Sequence, residues 1–125
     1  MSRRVLLVDD EPDVRAVARL SLELVGGWEV LEAPDGLTAV ELARREFLDA
    51  VVLDVMMPGT DGPATFRLLA EDPRTASIPV VMLTARVDRE DREQWLAMGV
   101  RGVLAKPFEP LQLAADIAVL LGWSP

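Results

Sequence analysis

The chain has 125 residues and half of them are hydrophobic, which is the size of one ordinary domain with a buried core. The 21 acidic and 13 basic residues give a net charge of −8, which disfavours direct contact with nucleic-acid phosphates. The absence of cysteine excludes disulfides, and the absence of histidine excludes imidazole catalysis. No signal peptide and no run of about 18 apolar residues is present, so we expect a cytoplasmic protein without membrane contact.

Five short apolar runs predict five strands. They are rich in valine and leucine, which is typical of parallel strands covered on both faces. They lie at residues 5–8, 28–33, 50–53, 79–83 and 103–105, and stretches of helical periodicity alternate with them. This alternation predicts a doubly wound α/β fold, an open parallel sheet with helices on both faces. No linker or repeat interrupts the pattern, so we expect a single domain over residues 1–125.

Polar side chains stand at the carboxyl ends of four predicted strands. Asp9 and Asp10 follow the first strand, and Asp54, Thr84 and Lys106 follow the third, fourth and fifth. Because the carboxyl ends of parallel strands converge on one crevice near the topological switch point, we expect these five side chains to lie together.

Three carboxylates with one hydroxyl and one ammonium suit a divalent cation and a phosphoryl group. Adjacent carboxylates at the mouth of an apolar core repel one another, so a positive charge is required. Mg2+ prefers oxygen ligands and would supply that charge. Asp54 is then a candidate nucleophile that forms an aspartyl phosphate. The metal and Lys106 would neutralise the phosphoryl oxygens, and Thr84 would donate a hydrogen bond.

Each of these residues also has an ordinary structural interpretation. Asp9 and Asp10 would favour the positive N-terminus of the first helix, and Asp54 would end a strand before a turn. Thr84 would cap a helix, and Lys106 would be a solvated surface lysine. The joint placement of all five at strand ends favours a functional site.

The stretches VLLVDDEPD, VVLDVMMPGTDG, VVMLTA and GVLAKPF together resemble the receiver domain of bacterial two-component response regulators. The resemblance covers essentially the whole chain, and its specificity lies in four fragments in the right order. It implies a flavodoxin-like, five-stranded parallel sheet in the order 2-1-3-4-5. It also implies a phosphorylation-dependent signalling switch whose partner is a sensor histidine kinase or a histidine phosphotransfer protein. Such a domain catalyses only its own phosphorylation and dephosphorylation.

The resemblance implies how the metal site is built. Asp54 is the phosphoacceptor and, with Asp10, binds Mg2+ directly. The backbone carbonyl of Met56 is a third ligand, and Asp9 acts mainly through metal-bound water.

The resemblance also implies how the phosphoryl group is held and where this chain departs from the family. Thr84 and Lys106 contact the phosphoryl group, and the peptide bond between Lys106 and Pro107 is cis, which points the lysine inward. Many receivers carry a Tyr or Phe three residues before this lysine, and it rotates on phosphorylation. Val103 stands there instead and is too short and stiff for that movement. Trp95 would supply an aromatic to the same surface or simply pack in the core.

Met56 and Arg86 stand where the family commonly borders the path of the water that attacks the aspartyl phosphate. A thioether is a weak acceptor and a guanidinium only donates, so neither side chain orients water well. We therefore expect slow self-hydrolysis. The alternative is that both side chains point into solvent.

The last helix, predicted from Leu111 to Leu121, has little polar face, which indicates a second buried face. We assign Ile117 to that face. A homodimer or a downstream protein would cover it, and the equal alternative is a deeply packed helix with a few exposed apolar groups.

Three other functions fit the sequence less well. A phosphohydrolase with an aspartyl-phosphate intermediate would need an acid and base near the nucleophile, where Met56 stands two residues after Asp54. A flavin-binding flavodoxin would need a phosphate loop of Ser, Thr and Gly, where the acidic VDDEP stands. Only an experiment can distinguish a receiver-like domain that works without phosphorylation from the phosphorylation-dependent switch.

Overall fold

Five strands and five helices alternate along the part of the chain that the structure, a computed structural model, describes: residues 2–85 and 88–123. The strands are β1 (Arg4–Val8), β2 (Glu29–Ala33), β3 (Ala50–Asp54), β4 (Val80–Thr84) and β5 (Gly102–Ala105). The helices are α1 (Pro12–Leu24), α2 (Gly36–Arg45), α3 (Gly62–Glu71), α4 (Arg89–Met98) and α5 (Leu113–Leu121). The five predicted strands are thus confirmed to within one residue at each end.

The strands form one parallel sheet in the order β2-β1-β3-β4-β5, which confirms the predicted topology. The first strand lies between the second and the third, with Val8 beside Ala33 on one side and beside Leu53 on the other. The winding direction of the chain reverses there. The crevice beyond the carboxyl ends of β1 and β3 is therefore the topological switch point, where ligands of such sheets bind.

The sheet separates two apolar clusters because successive side chains of a strand point to opposite faces. One cluster packs Leu6, Val51 and Met82 of the sheet against α2, α3 and α4. The other packs Leu7 and Val52 against α1 and α5. β1, β3 and β4 are buried over all or nearly all of their length, which explains why these strands read as continuous apolar runs, whereas the edge strands β2 and β5 are only partly buried.

An aspartate or a proline begins each of the helices α1 to α4, as the chemistry of these residues predicts. The side chains of Asp35 and Asp61 accept hydrogen bonds from the backbone amides of Thr38 and Ala64, at 2.8 and 2.9 Å, and so cap α2 and α3. Pro12 opens α1, where its missing amide hydrogen costs nothing. Among the described helices, none combines the length and apolar character needed to cross a bilayer.

The last helix differs from the prediction. It begins at Leu113 rather than Leu111, and its apolar residues lie mostly in the core. Ile117 is 0% exposed in the cluster beneath α1 and α5, so its assignment to an extra outward face is wrong. Periodicity alone could not show which side of so apolar a helix faces the sheet. Leu111 and Val119 remain exposed, the latter at 78%.

Two glutamate substitutions on α5 should separate the buried face from the exposed one. Ile117→Glu should lower the free energy of unfolding by more than about 3 kcal/mol, because it places an unpaired charge in an apolar core. Val119→Glu should change it by less than about 0.5 kcal/mol. Urea melts followed by circular dichroism measure both values. Equal stability of the two variants would contradict the packing described for α5.

Candidate functional site

The structure brings the predicted acidic residues together at the switch point. Asp9, Asp10 and Asp54 each offer a carboxylate oxygen, and these oxygens lie within 4.8 Å of one another. Lys106 reaches the same place, with its Nζ atom 2.7 Å from Oδ2 of Asp9 and 3.3 Å from Oδ1 of Asp54. Thr84 is buried at the end of β4, the strand that pairs with both β3 and β5. The predicted convergence of strand ends is therefore what the structure shows.

Asp9 is held on every side although it lies just beyond the end of β1. Its backbone amide donates to the carbonyl of Ala33 at 3.2 Å, which continues the pairing with β2. Its Oδ1 atom accepts from the amide of Glu11 at 2.9 Å, and Oδ2 accepts from Lys106. The residue is 1% exposed. A carboxylate so deeply buried is stabilised by these two charge-assisted hydrogen bonds.

Asp54 ends β3 and is 3% exposed. Its Oδ1 atom accepts a hydrogen bond from the amide of Met56 at 3.3 Å. The chain then turns back closely, because the amide of Gly62 donates to the carbonyl of Val55 at 2.9 Å. A Cβ atom at Gly62 would lie 2.6 Å from the Asp54 carbonyl oxygen, so only glycine allows α3 to begin against this strand end.

Lys106 enters the crevice from the end of β5. Its backbone amide donates to the carbonyl of Thr84 at 2.8 Å, and the peptide bond to Pro107 is cis. Its ammonium lies between the carboxylates of Asp9, just beyond β1, and Asp54, the last residue of β3. The sequence predicts that Mg2+ supplies the balancing charge. The structure shows that Lys106 already supplies one positive charge.

The carboxylates still repel one another in spite of the lysine. Burial raises the pKa of Asp54, the charge of Asp9 raises it further, and Lys106 opposes both, leaving a pKa of about 6. Burial lowers the pKa of Lys106, but its hydrogen bond to Asp9 and the charge of Asp54 outweigh this, so the pKa is raised overall. The lysine stays charged at neutral pH, whereas Asp54 holds a proton more readily than an ordinary aspartate.

The oxygen-only donor set of this cluster fits a hard divalent cation. Three carboxylates converge within the spacing that one ion bridges, and no softer ligand stands among them. Asp10 is half-buried, so its side chain faces both the cluster and solvent. These features suit Mg2+, which keeps part of its water shell when it binds to proteins.

The remaining predicted positions lie around this cluster or outside it. The side chain of Met56 is 58% exposed at the rim. Val103 and Trp95 are buried in the cluster against α2, α3 and α4, so the packing interpretation of Trp95 is confirmed. Arg86 lies outside the described residues.

One residue that sequence reasoning missed is Arg15 on α1. Its Nη1 atom donates to the backbone carbonyl of Asp9 at 2.6 Å, and its Nε atom donates to Glu32 of β2 at 3.0 Å. A basic residue at the start of an amphipathic helix is normally read as solvated. The signal that was available is the matching glutamate on the strand that the topology places beside β1.

Comparison with known proteins defines the class. The sequence model of the response regulator receiver domain matches residues 5–118. The chain is 45% identical over 122 residues to the response regulator PleD of Caulobacter vibrioides, covering 96% of this chain and 26% of PleD. It is 36% identical over 118 residues to RpaA of Synechocystis, a DNA-binding dual master transcriptional regulator, covering 94% of this chain and 48% of RpaA.

A solved structure agrees with these relatives. The receiver domain of the sensor histidine kinase PA1611 from Pseudomonas aeruginosa, determined with a magnesium ion in its active-site cleft, is 31% identical and has a TM-score of 0.85. The match covers 98% of this chain and 99% of that one. The chain therefore belongs to the receiver-domain family of response regulators, the signalling domains of two-component systems. It spans about a quarter of PleD and about half of RpaA.

The raised pKa of Asp54 predicts how the metal-free protein responds to pH. Because the folded-state pKa is about 6 and the ordinary value is 3.8, the folded protein holds this proton more strongly than the unfolded chain. The stability from this carboxyl is fully present below about pH 4 and lost as the pH rises through about 6. Asp54→Asn removes that loss, so the stability of the variant relative to the parent should grow by about 1–2 kcal/mol from pH 4 to pH 8.

Urea melts in a chelating buffer at several pH values measure this difference. Asp35→Asn is the matched control, because the hydrogen bond from the Thr38 amide lowers the pKa of Asp35. The stability contributed by the Asp35 carboxylate is present above its unfolded pKa and is lost as the pH falls. The stability of Asp35→Asn relative to the parent should therefore not increase towards pH 8. A relative stability of Asp54→Asn that is independent of pH would show that the cluster is not repulsive.

Proposed function

We propose that this chain is a phosphorylation-dependent switch that accepts a phosphoryl group on Asp54 from a partner phosphohistidine and then changes its interaction surface. The observation that carries the proposal is a buried aspartate flanked by a lysine ammonium at 3.3 Å and by two further carboxylates. This arrangement stands at the ligand-binding edge of a receiver fold. It matches what transfer to a carboxylate requires, a nucleophile together with charge that stabilises the phosphoryl oxygens.

The residues of the chain would divide the chemistry as follows. An Asp54 oxygen forms a bond to phosphorus while the bond from phosphorus to the imidazole nitrogen of the donor breaks, and the imidazole leaves with that electron pair. At a pKa of about 6 most of Asp54 is ionised at neutral pH and needs no separate base. Lys106 stabilises negative charge on the transferred group, and Thr84 donates a hydrogen bond to one of its oxygens.

Mg2+ would be held by Asp10, Asp54 and the carbonyl of Met56. Asp9 would act mainly through bound water, since both of its carboxylate oxygens already accept hydrogen bonds, from Glu11 and Lys106. When bound, the ion supplies the positive charge that offsets the carboxylates and the phosphoryl oxygens. The magnesium ion in the similar PA1611 domain supports this assignment.

The partner that donates phosphate, a sensor histidine kinase or a histidine phosphotransfer protein, must bring its histidine to the mouth of the crevice. An exposed apolar stripe of Val17, Leu20 and Leu24 runs along α1, and its first residue, Val17, lines a groove that also contains Lys106. A groove of about 460 Å³ separates the start of this stripe from Lys106 and Phe108. Exposed apolar patches of this kind mark protein contacts, and we place the donor protein there.

The remaining parts of the proposal concern the wider protein. We infer a single domain over residues 1–125, a cytoplasmic setting, and an output through protein contacts rather than direct binding of nucleic acid. The net charge of −8 supports the last point for these residues. The exposed side chains of Leu111 and Val119 mark the part of the last-helix region where a homodimer or downstream partner would bind.

Phosphorylation of Asp54 can be tested directly. With Mg2+ and acetyl phosphate, intact mass spectrometry should show one added phosphoryl group on the parent and none on Asp54→Asn. Asp61→Asn is the matched control: this exposed aspartate caps α3 in the loop after Asp54, and asparagine caps equally well. The control should be phosphorylated like the parent. A parent that gains no phosphate at saturating donor would instead support a receiver that works without phosphorylation.

The lifetime of the phosphoryl group tests the expectation about Met56 and Arg86. The backbone amide of Met56 donates a hydrogen bond to Oδ1 of Asp54, which places Met56 beside any group that the Asp54 carboxylate carries. After removal of the donor, a Met56→Asn, Arg86→Ala double variant should lose phosphate severalfold faster than the parent, because asparagine orients water and a thioether does not. Each tenfold corresponds to about 1.4 kcal/mol of barrier.

Intact mass spectrometry over time gives both rates, and the two single variants apportion the effect. Equal decay of parent and double variant would mean that these two side chains do not border the path of the attacking water.

A further inference from the structure

Arg15 joins the acidic crevice to the second strand. It lies in the first turns of α1, where its Nη1 atom donates to the backbone carbonyl of Asp9 at 2.6 Å. Its Nε atom donates to Oε1 of Glu32 at 3.0 Å, and the other oxygen of Glu32 accepts from Arg19. Glu32 stands on β2 directly beside Leu7 of β1. The guanidinium is therefore oriented by Glu32 of β2 and, at the same time, holds the backbone at the end of β1.

The bond from Arg15 completes the restraint of Asp9. The amide of Asp9 is paired with Ala33, and its two carboxylate oxygens are paired with Glu11 and Lys106. The carbonyl is its remaining polar group, in a residue that is almost fully buried. Without the guanidinium this carbonyl would be left to find another partner, and the peptide group that contains it could turn.

The orientation of that peptide group decides where Asp10 lies. The carbonyl oxygen of Asp9 shares a rigid plane with the amide nitrogen and Cα atom of Asp10, because the peptide bond does not rotate. Within residues 2–85 and 88–123, no hydrogen bond or ion pair holds the carboxylate of Asp10 itself. Its direction towards the crevice thus depends on the backbone that precedes it.

We propose that Arg15 is a positioning residue for the cation site: it fixes the peptide plane between Asp9 and Asp10, so that the Asp10 carboxylate faces the crevice before any ion binds. Glu32 orients the guanidinium for this purpose. The inference rests on the proposed binding of Mg2+ and assigns Arg15 no contact with the ion. Its loss weakens binding by releasing a ligand that is otherwise held in place.

An arginine is needed because two acceptors must be reached at once. The planar guanidinium donates from Nη1 and Nε in fixed directions, one towards the Asp9 carbonyl and one towards Glu32. A lysine at this position keeps the charge and can reach one acceptor, but it lacks the fixed fork. Lysine should therefore restore part of the effect, and methionine none.

Calorimetric titration with MgCl2, at a temperature where each variant is folded, tests the inference without reference to phosphorylation. Arg15→Met should weaken Mg2+ binding about 10-fold, as loss of outer-shell partners of metal ligands commonly does. Arg15→Lys and Glu32→Gln should fall between this variant and the parent. Arg44→Met is the matched control, since Arg44 pairs with Asp72 at 2.8 Å and touches none of the site residues named above. It should bind Mg2+ within about twofold of the parent.

Phosphorylation by acetyl phosphate supplies a readout that a merely stabilising ion pair would not change. The Mg2+ concentration for half-maximal rate should rise about 10-fold in Arg15→Met, whereas the maximal rate at saturating Mg2+ should stay within about twofold. If Arg15→Met does not fold, the order of affinities among the parent, Arg15→Lys and Glu32→Gln tests the same point. Variants that bind Mg2+ as the parent does would overturn the inference alone, and a parent that binds no Mg2+ would overturn it together with the proposed metal site.

Discussion

The contact of Lys106 with Asp9 and Asp54 is the interaction on which the site depends. Both carboxylates are almost fully buried, and without a cation between them their repulsion would favour a neutral Asp54. Lys106 also reaches across the sheet, because β5 is separated from β1 by two intervening strands. The Lys106 ammonium therefore connects the end of β5 to the ends of β1 and β3, neither of which is hydrogen-bonded to β5. The strand ends converge at the switch point, but it is the Lys106 side chain that brings their polar groups into contact with one another.

A single lysine does not balance three carboxylates, and this imbalance explains the rest of the arrangement. Burial and, to a smaller extent, repulsion from Asp9 keep the pKa of Asp54 at about 6 although Lys106 lowers it. A phosphoryl group on Asp54 would add further negative charge at the same place. The proposed chemistry therefore requires a second cation. Asp10 is only half-buried, so an ion that keeps part of its water shell could reach the cluster from solvent on the side of Asp10.

The sequence predicts the fold and the convergence of the charged side chains well, because both depend on short-range patterns. Apolar runs locate the strands, and the rule that parallel strand ends converge brings Asp54 and Lys106 together. The order of the strands comes from the resemblance rather than from periodicity. The placement of Ile117 was wrong because an almost wholly apolar helix does not reveal which side faces the sheet. Arg15 was missed because its partner in the site is a backbone carbonyl, and its other partner, Glu32, can be matched to it only once the strand order places β2 beside β1.

The residues around the crevice indicate which part of the surface would respond to a change in the state of Asp54. On the side of β1 and β2, hydrogen bonds from Arg15, Lys106 and the neighbouring backbone hold Asp9 in place. Val103 is buried in the core and carries no ring that could turn outward. On the opposite side, exposed Met56 borders a groove of about 570 Å³ between the segment after β3 and α4, and Trp95 lines the same groove. Since the segment after β3 follows Asp54 directly, we expect this groove, rather than position 103, to register the state of the aspartate.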